Sequence, residues 1–144
     1  MDESGRRLLW HGAFLFLLGL ITGLIEAQLT NPRMGLAAHL EGVMNGTFLI
    51  AVGAIWMEVR LSAQLRSYTY WLLLYGTYAN WAFVFVAAVL GTAALSPITS
   101  AGHSGQPWQE TLVTVGLTSV GVTIIAATVL LLWGLRRSSA SQRA

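Results

Sequence analysis

The sequence predicts an all-α integral membrane protein, a four-helix bundle with its N and C termini cytoplasmic. Three observations carry this expectation. Four stretches of about 20 or more mostly apolar residues, each long enough to cross a bilayer, recur along the 144-residue chain. Only 10% of the residues are charged, against about 25% in an ordinary soluble domain. The arginines, with no lysine beside them, are distributed unevenly among the segments that separate the apolar stretches.

The first span runs from about Leu8 to Ala27, the second from Gly35 to Met57, the third from Tyr68 to Leu90 and the fourth from Thr111 to Leu135. The first reads as a span rather than a cleavable signal sequence, since its apolar core is long and no small-x-small site follows it in place. Asn31-Pro32-Arg33 marks a turn between the first two spans, because proline fixes φ and asparagine favours turn entry. The connection from Met57 to Ser67 carries Glu58, Arg60 and Arg66, whereas Thr92 to Gln109 is rich in Gly, Ser, Thr and Pro and holds no arginine. With four spans, Arg6, Arg7, Arg60, Arg66, Arg136, Arg137 and Arg143 fall on one side and Arg33 alone on the other. Positive charge marks the cytoplasmic side, so both termini are expected there. Trp10, Trp56, Trp71, Trp108 and Trp133 fall near span ends as an aromatic belt requires, and Trp81 does not. Residues 1–137 read as one membrane domain without an internal repeat, and 138–144 as a short polar tail expected to be disordered.

Several chemistries are excluded. Without cysteine the chain forms no disulfide, zinc-thiolate site or iron–sulfur cluster. The arginines sit at span ends rather than in one basic stripe, so nucleic acid is not an expected partner. No Ser-His-Asp constellation, phosphate loop or dinucleotide glycine motif is present.

Ionisable groups inside a span cost about 2.5–3.5 kcal/mol each on insertion scales, and they face protein or a cavity. The second span holds the densest set, His39, Glu41 and Asn45; the third adds Tyr75, Tyr78, Asn80 and Trp81. At 1.5 Å per residue Asn45 and Asn80 both fall about 15 Å deep, near the midplane, with His39, Glu41 and Glu26 one to two turns nearer the outside. Polar groups from three spans are therefore expected to converge on one layer. On a helical wheel Gly42 and Gly46 share the face of His39, which leaves room for a helix or a flat ligand beside the histidine. Plainer roles exist for each: Gly42-x-x-x-Gly46 as a helix-packing groove, the asparagines as interhelical glue, the tyrosines as packing. His11 near the inner surface and His103 in the outer loop are expected to be solvated. Glu41 and Glu26 are harder to explain by packing, since a buried carboxylate needs a partner or a proton.

The segments His39-Leu40-Glu41-Gly42-Val43-Met44-Asn45-Gly46-Thr47-Phe48-Leu49, Gly53 to Trp56, Tyr75-Gly76-Thr77-Tyr78-Ala79-Asn80-Trp81 and Gln109-Glu110 resemble the hydroxylaminobenzene mutase family. The resemblance covers nearly the whole chain, from Leu17–Thr22 through Trp133-Gly134-Leu135-Arg136. It implies an isomerase that converts an arylhydroxylamine to an aminophenol. A more distant resemblance extends to styrene oxide isomerases, whose second span carries a histidine followed six residues later by an asparagine, as His39 and Asn45 are here. Their Gly-x-x-Asn-like element looks like Gly76 to Asn80, with the spacing changed by one residue. That resemblance implies haem b with His39 as axial iron ligand, the iron acting as a Lewis acid, and a homo-oligomer, a trimer, with haem between subunits.

Together these imply intramolecular hydroxyl transfer on a small apolar arylhydroxylamine that enters from membrane lipid. Asn45, Asn80, Tyr78, Tyr75 and Glu41 are the expected catalytic groups, and Glu41 a candidate proton acceptor. His39, Gly42, Gly46 and Trp81 are expected at the cofactor. Alternatives are epoxide isomerisation at the same site, a haem- or quinone-binding electron-transfer subunit, and a helper protein without ligand. A bis-histidine cytochrome is disfavoured because only His39 lies at such depth.

Overall fold

The computed structural model describes residues 2–140, with side chains through Arg136. Four long helices follow one another: α1 (Glu3–Ile25), α2 (Pro32–Ala54), α3 (Ala63–Leu90) and α4 (Pro107–Ala140). Short 3-10 turns at Glu26–Gln28 and Trp56–Glu58 follow α1 and α2. All four helices are long and apolar enough to cross a membrane, and no strand forms among the described residues.

Each helix begins three to five residues before the apolar stretch that announces it, and for the first three capping side chains lie upstream. Asp2 accepts from the Gly5 N–H at 2.8 Å, Asn31 from Met34 at 3.1 Å and Ser62 from Leu65 at 3.4 Å. Pro32 takes the first position of α2, where its missing N–H costs nothing. Helix α3 stops at Gly91, whose φ of 68° closes the C-terminus in the left-handed region. Helix α4 runs on through Ala140, so its last residues include 138–140 of the expected tail. The rest of the predicted tail, 141–144, lies outside the described residues.

Asn31 ties together the end of the bundle that carries the 91–106 connection. It is 1% exposed; its amide donates to the carbonyls of Thr99 and Ser100 at 3.0 and 2.9 Å, and its backbone N–H to Ala88. Asn31→Ala removes a cap and the amide donor of the half-buried Thr99 carbonyl, while the Ser100 carbonyl keeps His103 as a partner. It is expected to cost about 2–3 kcal/mol, measured as a lower denaturation midpoint in detergent. A change of under about 0.5 kcal/mol, the range of an ordinary surface substitution, would contradict this role.

The helices stand in a row, with α1 on α2, α2 on α3 and α3 on α4. The α1–α2 contact is made of glycines. A Cβ on Gly12 would lie 2.7 Å from the Gly46 carbonyl oxygen, one on Gly19 2.6 Å from the Val43 nitrogen, and one on Gly53 2.9 Å from the Gly5 carbonyl oxygen. Backbones can meet this closely only where no side chain intervenes. At the end of the bundle where α1 begins, Trp56, Val59, Leu73 and Leu8 form a core, over which Arg66 bonds Asp2 at 2.5 Å and the Trp56 carbonyl at 3.1 Å. Helix α4 rests on α3 and on the turn after α2, and makes no close backbone approach to α1 or to α2 itself among the described residues. A cleft therefore remains between α2, α3 and the N-terminal half of α4.

Candidate active site

That cleft is the candidate site. It is a cavity of about 480 Å³ lined by Glu41 and Asn45 of α2, Asn80 and Val84 of α3, Leu117, Val120, Gly121 and Ile124 of α4, and Leu95 and Ser96 of the connection from α3 to α4. The depth arithmetic that places Asn45 and Asn80 at one level holds, and a carboxylate joins them. Asn80 donates its amide N–H to Glu41 Oε2 at 2.6 Å, and Asn45 donates to the same oxygen at 3.1 Å. Asn45 and Glu41 can do this from one helix because residues four apart lie on one face. Two amides thus converge on one oxygen and fix the carboxylate across two helices. The floor of the cavity is polar and its walls are aliphatic, which suits a small molecule with one polar end and an apolar body.

His39 does not line this cavity. Two residues from Glu41 on the same helix, it points about 160° away around the axis. Its Nδ1 lies 2.8 Å from the Gly19 carbonyl of α1, and its ring lies over Gly23, where a Cβ would meet Nδ1 at 2.7 Å. A carbonyl only accepts, so Nδ1 carries the proton and Nε2 keeps its lone pair. An imidazole with its Nδ1–H held by a carbonyl is the arrangement that metal-ligating histidines adopt. The half-buried ring would therefore suit holding a haem iron, were haem bound. No cluster of three or more His, Cys, Asp or Glu that could hold a metal unaided occurs among the described residues.

The other expected site residues lie elsewhere. The glycine face beside His39 is not an open ligand bed, because α1 of the same chain fills it: Cβ atoms on Gly42 and Gly46 would lie 2.5 Å from Gly19 Cα and from the Phe16 nitrogen. The same packing removes Gly42 and Gly46 as a surface for a second copy. Trp81 wedges between α1 and α2, donating its indole N–H to Thr22 Oγ1 at 3.1 Å, with its ring stacked on Phe85. Its Cδ1 stands 3.0 Å from where a Gly42 Cβ would be. Tyr78 turns toward α1, with its hydroxyl 3.1 Å from His11 Nδ1 and 3.2 Å from the His11 carbonyl oxygen. His11 is thus paired rather than solvated. Tyr75, 48% exposed, bonds Ser119 of α4 at 2.7 Å and stands outside the cavity. Neither tyrosine touches the acid–amide cluster, because equal depth does not fix direction around a helix. Glu26 lies in the 3-10 turn after α1, away from the cluster, with one buried carboxylate oxygen unpartnered.

Residues without an expected role also shape the site. Gly5, Gly12 and Gly19 recur every seven residues on α1, as Gly46 and Gly53 do on α2. That matched spacing is the signal that could have identified the α1–α2 seam. Nothing in the sequence singles out Thr22 as the partner of Trp81, or Leu95 and Gly121 as cavity wall.

A row of four helices long and apolar enough to cross a membrane, with one half-buried acid–amide cluster open to an aliphatic cavity, defines a polytopic membrane protein with a candidate small-molecule site. The family model described as styrene oxide isomerase matches residues 4–136. Two relatives from Ectopseudomonas oleovorans are similar over most of their length. Hydroxylaminobenzene mutase HabB is 43% identical over 94% of this chain and 83% of its own, and hydroxylaminobenzene mutase HabA is 46% identical over 88% and 94%. No solved structure matches significantly. The chain belongs to the styrene oxide isomerase family and is an isomerase, as its mutase relatives are.

Proposed function

We propose that the protein rearranges hydroxylaminobenzene to 2-aminophenol, moving the hydroxyl oxygen from nitrogen to the neighbouring ring carbon. The observation that carries this reading is Glu41, held by Asn45 and Asn80 at the floor of an aliphatic cavity, in a chain whose relatives are named hydroxylaminobenzene mutases. An arylhydroxylamine has N–H and O–H hydrogens to give such a carboxylate and a flat apolar ring for the walls. An epoxide has no hydrogen to give it. A site built to accept a donor discriminates strongly against an analogue that lacks one.

The balance of the reaction assigns Glu41 a task. The N–O bond breaks, a C–O bond forms at the ring carbon beside the one bearing nitrogen, and that carbon loses its proton. Glu41 takes this proton and returns it to nitrogen, so no atom is gained or lost. Asn45 and Asn80 aim the carboxylate and hold the polar end of the substrate, and the aliphatic walls limit water near the opened N–O bond.

Haem b is the proposed cofactor, held by His39 through Nε2. When bound, its iron supplies a Lewis acid toward the substrate oxygen. His39 and Glu41 face apart in one chain, so the two serve one substrate where different faces of two copies meet. Unlike faces meeting head to tail form a ring where the rotation between copies closes, and the trimer implied by the family resemblance would be such a ring. The arginine asymmetry supports cytoplasmic termini in a bacterial inner membrane.

Detergent-purified protein given hydroxylaminobenzene and styrene oxide in parallel tests the assignment. Conversion of the first to 2-aminophenol is expected; conversion of styrene oxide alone would replace the reading with epoxide isomerisation. In the same preparation His39→Ala is expected to lose the haem Soret band and the activity while still inserting. A variant that keeps both would remove His39 from the account.

A further inference from the structure

The roof of the cavity is a loop held by one carboxylate. Glu110, in the first turn of α4, accepts from the Ala93 N–H at 2.9 and 3.2 Å, from Ala94 at 2.7 Å and from Gly105 at 2.6 Å. These donors lie near the two ends of the 91–106 connection, so one side chain draws the loop shut. The next residue, Leu95, has φ of 57°, a left-handed conformation that a leucine rarely adopts. Strained positions of this kind gather at functional sites. Leu95 is 61% exposed and lines the cavity. On the α4 wall Gly121 lines the same cavity, and a Cβ there would meet nothing within 4 Å. The other wall residues, Val84, Leu117, Val120 and Ile124, carry aliphatic side chains. The cavity thus has a polar floor, aliphatic walls, one gap at Gly121 and one overhanging side chain at Leu95.

We propose that Leu95 and Gly121 set which ring substituents the enzyme accepts, and that Glu110 is the positioning residue that fixes Leu95 over the cavity. The inference rests on reading the cavity as the arylhydroxylamine site. With the N–OH end at Glu41, the ring lies among the aliphatic walls. A methyl or chloro group on it then meets either the gap at Gly121 or the edge of Leu95.

The test compares kcat/KM for hydroxylaminobenzene with values for its methyl- and chloro-substituted analogues at each ring position, in wild type, Gly121→Leu, Leu95→Trp, Leu95→Ala and Glu110→Gln. Filling the space at Gly121→Leu or Leu95→Trp is expected to lower the ratio of substituted to unsubstituted kcat/KM by about tenfold or more for at least one ring position, chiefly through KM. Leu95→Ala is expected to raise that ratio. Glu110→Gln, which keeps one acceptor oxygen and loses the other, is expected to share the substrate profile of Leu95→Ala. Profiles that scale uniformly in every variant, with wild type active, would overturn the inference and leave the proposed function standing. A wild type that converts no arylhydroxylamine would overturn both.

Discussion

Glu41→Gln is expected to lower kcat for hydroxylaminobenzene by about 10²–10³-fold, the range a positioned general base contributes. Glutamine keeps the length of the side chain and one acceptor, so Asn45 and Asn80 can still bond across α2 and α3, and insertion should survive. What is lost is the negative charge and the ability to take the ring proton. Steady-state kinetics on folded, detergent-purified variant check this, and the effect should fall on kcat more than on KM. Asn80→Ala, which removes the 2.6 Å bond, should lower activity less, because Asn45 still holds the same carboxylate oxygen. A Gln variant that turns over at the wild-type rate would move the proton to another group.

Gly46→Leu is expected to be the most damaging substitution for folding. The Cβ alone would stand 2.5 Å from the Phe16 nitrogen and 2.7 Å from the Gly12 carbonyl oxygen. These are backbone atoms in the middle of a helix, and they can move only if α1 and α2 part. Separating them would also break the Nδ1–Gly19 bond that orients His39 and pull Trp81 from Thr22. Overpacking usually costs about 1–3 kcal/mol; here the clash is with rigid backbone, and the cost should reach or pass the top of that range. The yield of monodisperse protein and its thermal midpoint in detergent measure it. Gly121→Leu is the internal control, since the space beside that glycine is open. Equal damage from both would show that glycine content matters and the α1–α2 seam does not.

The helices were legible because the bilayer imposes their length, and their starts lie upstream because the caps at Asp2, Asn31 and Ser62 are polar and escape a hydropathy pattern. The acid–amide cluster was legible because rise per residue fixes depth: Asn45 and Asn80 lie at one level whichever way they face. Direction around the axis is a different quantity. His39 and Glu41 are two residues apart, which on any helix sets them on opposed sides, yet only packing decides what each side meets. Tyr75 and Tyr78 show the same limit, one ending on Ser119 and the other on His11. Gly42 and Gly46 announced a close approach, and the seven-residue spacing on α1 identifies α1 as what approaches. The roof was hidden for another reason. Nothing in a Gly- and Ser-rich loop reveals that Glu110 gathers its ends, because that contact joins residues 5 to 17 positions apart without a repeating pattern.

The most direct test of hydroxyl transfer within one molecule is conversion of hydroxylaminobenzene by the purified protein in ¹⁸O-labelled water, with mass analysis of the product. Transfer inside the Glu41 cavity should give 2-aminophenol that carries the substrate's own oxygen and no label. Label in the phenolic oxygen would mean that water attacks the ring, and would contradict intramolecular transfer at this site.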